Sequence, residues 1–131
     1  MATYRKLLKN ANGDTILPVT GYMGDYSTTE QDTGYTWIDG YPIYKKTIDN
    51  LNLPSSRGGT STAHGISNLR NVIKIEAINL RPDGDFFPLN FGDGGNNDTV
   101  IYVNSTSVCI YSVSGRAGYA FATLYYTKNT I

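Results

Sequence analysis

One histidine, His64, and one cysteine, Cys109, leave few nucleophilic mechanisms open to this chain. Cys109 stands in the apolar run Val108-Cys109-Ile110-Tyr111 with no activating neighbour in sequence, so a buried, inert thiol is expected. Serine and aspartate are plentiful, yet nothing resembles the G-x-S-x-G elbow that presents a nucleophilic serine. His64, followed by Gly65, suits a turn-fixing ring better than a ligand contact or a base. Glycan cleavage would need two opposed carboxylates. The two glutamates are Glu30, in a polar stretch, and Glu76, in an apolar one. Most aspartates (Asp14, Asp39, Asp83, Asp85, Asp93) adjoin glycine, where turn chemistry puts them. These residues point away from an enzyme. Asp93, Asn96, Asn97 and Asp98 offer oxygen ligands to a hard cation such as calcium, but the spacing is neither an EF-hand nor a calcium-binding nonapeptide. A turn is expected there, and no cofactor.

Binding chemistry is better represented. The chain has eleven tyrosines and one tryptophan, while charged residues make up only 17%. Flat rings beside uncharged hydrogen-bonding groups suit a saccharide, which has an apolar face and many hydroxyls. Lys plus Arg equals Asp plus Glu, 11 against 11, which leaves no basic stripe for nucleic acid and no polybasic patch for a membrane. The expected saccharide patch comprises Tyr102, Tyr111, Arg116 and Tyr119, bordered by Asp93, Asn96 and Asn97. Tyr102 and Tyr111 meet if their strands form a hairpin about Asn104-Ser105-Thr106. The small residues between Ser112 and Gly118 would present Arg116 at one end of the domain, its guanidinium donating to vicinal hydroxyls or an acidic sugar. The alternative pairs Arg116 with an aspartate and buries the tyrosines between subunits.

Strands must position these residues. Segments 35–38, 41–49, 71–80, 86–91, 100–103, 107–113 and 118–127 are short, rich in β-branched and aromatic residues, and bounded by turn signals such as Asp39-Gly40 and Pro82-Asp83-Gly84-Asp85. With a short strand at 15–19, about eight are expected, which implies an all-β, antiparallel, jelly-roll-like β-sandwich. The stretch 52–63, with Pro54, Gly58 and Gly59, reads as a loop. Tyr125 and Tyr126 are consecutive strand residues and must face opposite sides, so at least one is expected to be exposed or covered by another subunit. Residues 1–32 read as a leader or attachment arm and 33–131 as the sandwich domain. The leader carries Leu7, Leu8, Ile16, Leu17 and Val19, which a compact sandwich need not bury within one chain, so they are the expected oligomer interface. No run of 18 apolar residues could span a membrane, and Met1 to Lys9 lacks a secretory apolar core, so synthesis in a cytoplasm is expected.

Three stretches carry a resemblance. Thr36-Trp37-Ile38-Asp39-Gly40-Tyr41-Pro42-Ile43-Tyr44-Lys45-Lys46-Thr47, then Ala63-His64-Gly65-Ile66-Ser67-Asn68, then Gly115-Arg116-Ala117-Gly118-Tyr119 with Thr123-Leu124-Tyr125-Tyr126-Thr127-Lys128, follow one another in order. Together they resemble the C-terminal domains of bacteriophage tail-fibre and baseplate proteins. Tyr41 stands where that family usually has lysine, and Gly115 where an acidic residue often precedes the arginine. The resemblance implies a non-catalytic virion appendage, commonly a homotrimer, that contacts other virion proteins and binds a bacterial cell-surface saccharide. The alternative reading is a non-catalytic structural decoration or connector of the particle.

Overall fold

The computed structural model describes residues 26–92, 94–95 and 98–129, and the backbone of Leu8–Lys9 and Thr15–Ile16. These last two segments are strands β1 and β2, paired antiparallel with Leu8 opposite Ile16. The body comprises β3 (Gln31–Thr36), β4 (Pro42–Ile48), β5 (Gly58–Ala63), β6 (Leu69–Leu80), β7 (Phe86–Pro88), β8 (Thr99–Val103), β9 (Ser107–Ser112) and β10 (Tyr119–Lys128). A five-stranded sheet runs β3-β4-β10-β6-β7 and a three-stranded sheet runs β5-β9-β8, both antiparallel. No helix occurs among the described residues. The fold is the all-β sandwich that the strand pattern implies.

The core lies between the central strands of the two sheets. Ala120, Ala122, Leu124 and Tyr126 point inward from β10, and Val108 and Ile110 point inward from β9. Ile48, Leu51, Ile66 and Leu89 close the cluster. Each large apolar side chain buried here contributes about 1.5–3 kcal/mol relative to exposure.

The Asp39-Gly40 turn and the segment around His64 form joints of this frame. Asp39-Gly40 turns the β3–β4 hairpin: the Trp37 amide donates to the Tyr41 carbonyl at 2.8 Å, and Gly40 takes φ +88°, which a side chain disfavours. Arg70 pairs with Asp39 and lies 3.8 Å from the centre of the Tyr41 ring, so the turn is tied to the start of β6. The Tyr41 amide above all, helped by the Arg70 guanidinium and opposed by desolvation, holds the Asp39 carboxyl below its usual range. His64 is 1% exposed. Its Nδ1 accepts from the Ile66 amide at 3.0 Å, so the ring's proton sits on Nε2, which donates to the Asn104 carbonyl at 3.0 Å.

Two expectations need correction. The stretch 52–63 is not all loop: Gly58–Ala63 is edge strand β5, paired with β9 throughout. Its glycines and small polar residues hide the signal, and its outer edge is capped by Asn52, whose side-chain amide donates to the Ser61 carbonyl at 2.9 Å. Asn52 also accepts from the Thr60 hydroxyl through its own carbonyl at 2.7 Å. Tyr125 and Tyr126 do face opposite sides, but both are buried within one chain. Tyr126 points into the core against Tyr44, at 6.2 Å between ring centroids, and its hydroxyl donates to Glu30 at 2.7 Å. Tyr125, on the outer side, is covered by Tyr26, Lys74 and Glu76 of the same chain.

Candidate functional site

The outward side of the three-stranded sheet is built by alternation along β9. Val108, Ile110 and Ser112 point inward, so Cys109 and Tyr111 point out. Val100 of β8 stands opposite Tyr111, and Tyr102 opposite Cys109. On the other flank β5 sets Gly59 opposite Tyr111 and Ser61 opposite Cys109. Large side chains on β8 and β9 therefore meet almost none on β5. Val100 is 44% exposed, Tyr102 52% and Tyr111 40%. The result is a shallow apolar and aromatic platform with hydroxyls at its margins. The Asn104 side-chain amide contacts the Cys109 sulfur at 3.5 Å, and that thiol is buried beneath the surface.

At one end the platform runs into a cleft of about 320 Å³ lined by Asn90, Phe91, Asp98, Val100, Tyr111 and Val113, among others. Phe91 reaches it because residues 91 and 99 form a two-hydrogen-bond bridge, 3.0 and 2.8 Å, along the edge of β8. The wall behind is polar and fixed. Arg116 Nε donates to Thr99 Oγ1 at 2.9 Å, Thr99 and Ser112 share a 3.0 Å hydroxyl contact, and the Arg116 guanidinium lies 5.9 Å from the Phe91 ring centre. Asp98 Oδ1 accepts the Gly94 amide at 3.1 Å. Two aromatic residues, Phe91 and Tyr111, with the Asp98 carboxylate and the Asn90 amide thus line one concavity. That combination can stack against a sugar ring and hydrogen-bond its hydroxyls.

The expected patch is divided by the fold. Tyr102 and Tyr111 come together, and the hairpin about 104–106 forms: the Asn104 amide donates to the Ser107 carbonyl at 3.0 Å. Arg116 backs the adjoining cleft and also lines a second one, of about 290 Å³, with Arg81, Asp83 and Ala117. Its loop is packed rather than freely presented. The Arg116 amide donates to the Pro54 carbonyl at 2.7 Å, and Asn79 Nδ2 holds the carbonyls of Ala117 and Tyr119 at 3.1 and 3.2 Å. A Cβ at Gly115 would strike the Ser55 carbonyl, and one at Gly118 the Leu80 carbonyl, so neither position admits a larger residue. Tyr119 belongs to the other side of the molecule, on the outer face of the five-stranded sheet. There its hydroxyl donates to Asp49, which raises the phenol pKa.

Asp93, Asn96 and Asn97 lie outside the described residues, as do Leu7, Leu17 and Val19; Leu8 and Ile16 are described by backbone alone. Sequence reasoning missed Val100, Asn90 and Phe91. Val100 was reachable, since it is two residues before Tyr102 and shares its face. Phe91 was not, because only the bridge to Thr99 carries it there. No family model, curated protein or solved structure matches this chain.

Proposed function

We propose that this chain is a non-catalytic attachment domain of a bacteriophage appendage, which uses the outer face of its three-stranded sheet to bind a bacterial cell-surface saccharide. The observation that carries the reading is the exposed Val100–Tyr102–Tyr111 platform continuing into the Phe91–Asp98 cleft. A soluble domain ordinarily places polar residues on the outward side of a sandwich sheet. Here two tyrosines and a valine stand there beside a strand of Gly59, Ser61 and Ala63 that leaves their rings open. The virion context comes from the resemblance of residues 36–47, 63–68, 115–119 and 123–128, and assembly as a homotrimer alongside other virion proteins comes with it. Three copies would offer three weak sugar sites to one surface, and avidity would multiply them.

A second reading, a structural connector with no glycan ligand, is favoured by the apolar outer face of the five-stranded sheet, which faces away from the platform. The two readings separate on intact bacterial cells. In the attachment reading, Tyr111→Ala and Tyr102→Ala each weaken cell binding by roughly tenfold, about 1.4 kcal/mol of lost ring contact, while the melting temperature barely moves. Undiminished cell binding in both variants overturns the site, and wild-type binding to virion proteins alone supports the connector.

A further inference from the structure

On the five-stranded sheet, β10 sends Tyr119, Phe121, Thr123 and Tyr125 outward, away from the core. The register places Leu80 opposite Tyr119 and Ile78 opposite Phe121, and on β7 it places Phe86 opposite Leu80 and Pro88 opposite Ile78. These six apolar residues therefore share one outer face, where a lone sandwich would carry polar side chains. Phe86 is 70% exposed and Tyr119 40%. On the other side of Phe121 the same face sinks into a concavity of about 440 Å³, lined by Tyr26, Thr47, Glu76, Phe121 and Thr123. Its floor polar atoms are already paired, Thr47 Oγ1 to Thr123 Oγ1 at 2.8 Å.

We infer that this face is an interface between copies of this chain, the Phe86 side of one copy packing into the Tyr26–Phe121 concavity of the next. Three features select a second copy as the occupant. The face carries both a projecting apolar side chain and a hollow beside it, so one copy can be complementary to another. Its charged groups are engaged within the chain, Lys74 with Glu76 at 3.1 Å, Arg81 with Asp83 at 3.8 Å, Lys45 over the Tyr26 ring at 4.3 Å and Asp49 with the Tyr119 hydroxyl, so it presents no basic stripe to a nucleic acid, an acidic peptide or a membrane. Its extent fits as well: strands of this length and number present roughly 600 Å², close to the ~800 Å² that each partner contributes to a standard interface. The inference does not depend on how many copies assemble, nor on the saccharide platform across the sandwich.

Sedimentation equilibrium of the full chain tests it, with Phe86→Glu as the face variant and Tyr102→Glu as a control on the opposite face. Both sites are exposed, and circular dichroism checks that each variant folds. The wild type is expected at a multiple of the one-chain mass, with association at least tenfold weaker in Phe86→Glu and unchanged in Tyr102→Glu. Radical footprinting should show Phe86 and Tyr119 becoming protected as concentration rises. A one-chain mass at high concentration overturns the interface, including the case where the chain's own N-terminal segment protects the face at every concentration. A three-chain mass insensitive to Phe86→Glu overturns it while leaving the trimer reading intact, whereas a two-chain mass sensitive to Phe86→Glu supports the interface and removes the trimer.

Discussion

Val100 and Tyr111 stand directly opposite one another on β8 and β9, and the Tyr111 ring borders Gly59 of β5, where a Cβ would sit 3.7 Å from ring atom Cδ2. That spacing is ordinary van der Waals contact, and the backbone at Gly59 is not in the left-handed region. A threonine is therefore tolerated at 59, and its branched side chain suits a strand. It would also wall off the open flank of the tyrosine. Gly59→Thr is expected to leave the melting temperature unchanged or slightly raised and to reduce saccharide binding severalfold, measured by cell binding alongside thermal unfolding.

Arg116→Ala is a stability variant more than a binding variant. It removes the hydrogen bond to buried Thr99 Oγ1 and the contact over the Phe91 ring. The expected cost is about 1–3 kcal/mol, read as a lower urea midpoint. Lysine cannot reproduce the Nε donor or the planar face, so Arg116→Lys should restore little of it.

His64 is buried and held at both ring nitrogens by backbone groups, the buried Ile66 amide and the Asn104 carbonyl. His64→Ala leaves the Ile66 amide and the Asn104 carbonyl to find other partners and opens a space between β5 and the β8–β9 turn. A loss of about 2–4 kcal/mol follows, seen in chemical denaturation.

Alkaline pH should unfold the domain through Tyr125 and Tyr126. Burial first, and then the Glu30 carboxylate, raises the Tyr126 phenol; burial, Tyr26 and Glu76 raise Tyr125. The folded state favours the neutral phenol, so this contribution is complete below the unfolded value of 10.0 and is lost as pH rises beyond it. Absorbance titration should show a late tyrosinate step coincident with loss of structure. Tyr126→Phe should flatten the alkaline fall in stability while lowering neutral-pH stability by about 1 kcal/mol, the hydrogen bond to Glu30.

The strands that were legible in sequence are those whose residues have a strong preference and a clear boundary. Leu69–Leu80 and Tyr119–Lys128 are dense in β-branched and aromatic residues, and Asp39-Gly40 marks its hairpin outright. β5 was illegible because Gly58, Gly59 and Ser61 look like a loop until Asn52 and the neighbouring threonines supply the edge hydrogen bonds. The site was legible in part for the same kind of reason. Tyr102 and Tyr111 fall on one face by period-two alternation, which local sequence determines. Tyr119 lies near them in sequence, but β10 belongs to the other sheet, and no local pattern states which sheet a strand joins.

The most direct test of attachment is a binding isotherm of the full wild-type chain on intact host cells, set against cells stripped of surface polysaccharide. The account predicts saturable binding to intact cells that falls at least tenfold after stripping and is competed by the released polysaccharide. Equal binding to both surfaces, or none to either, would contradict it.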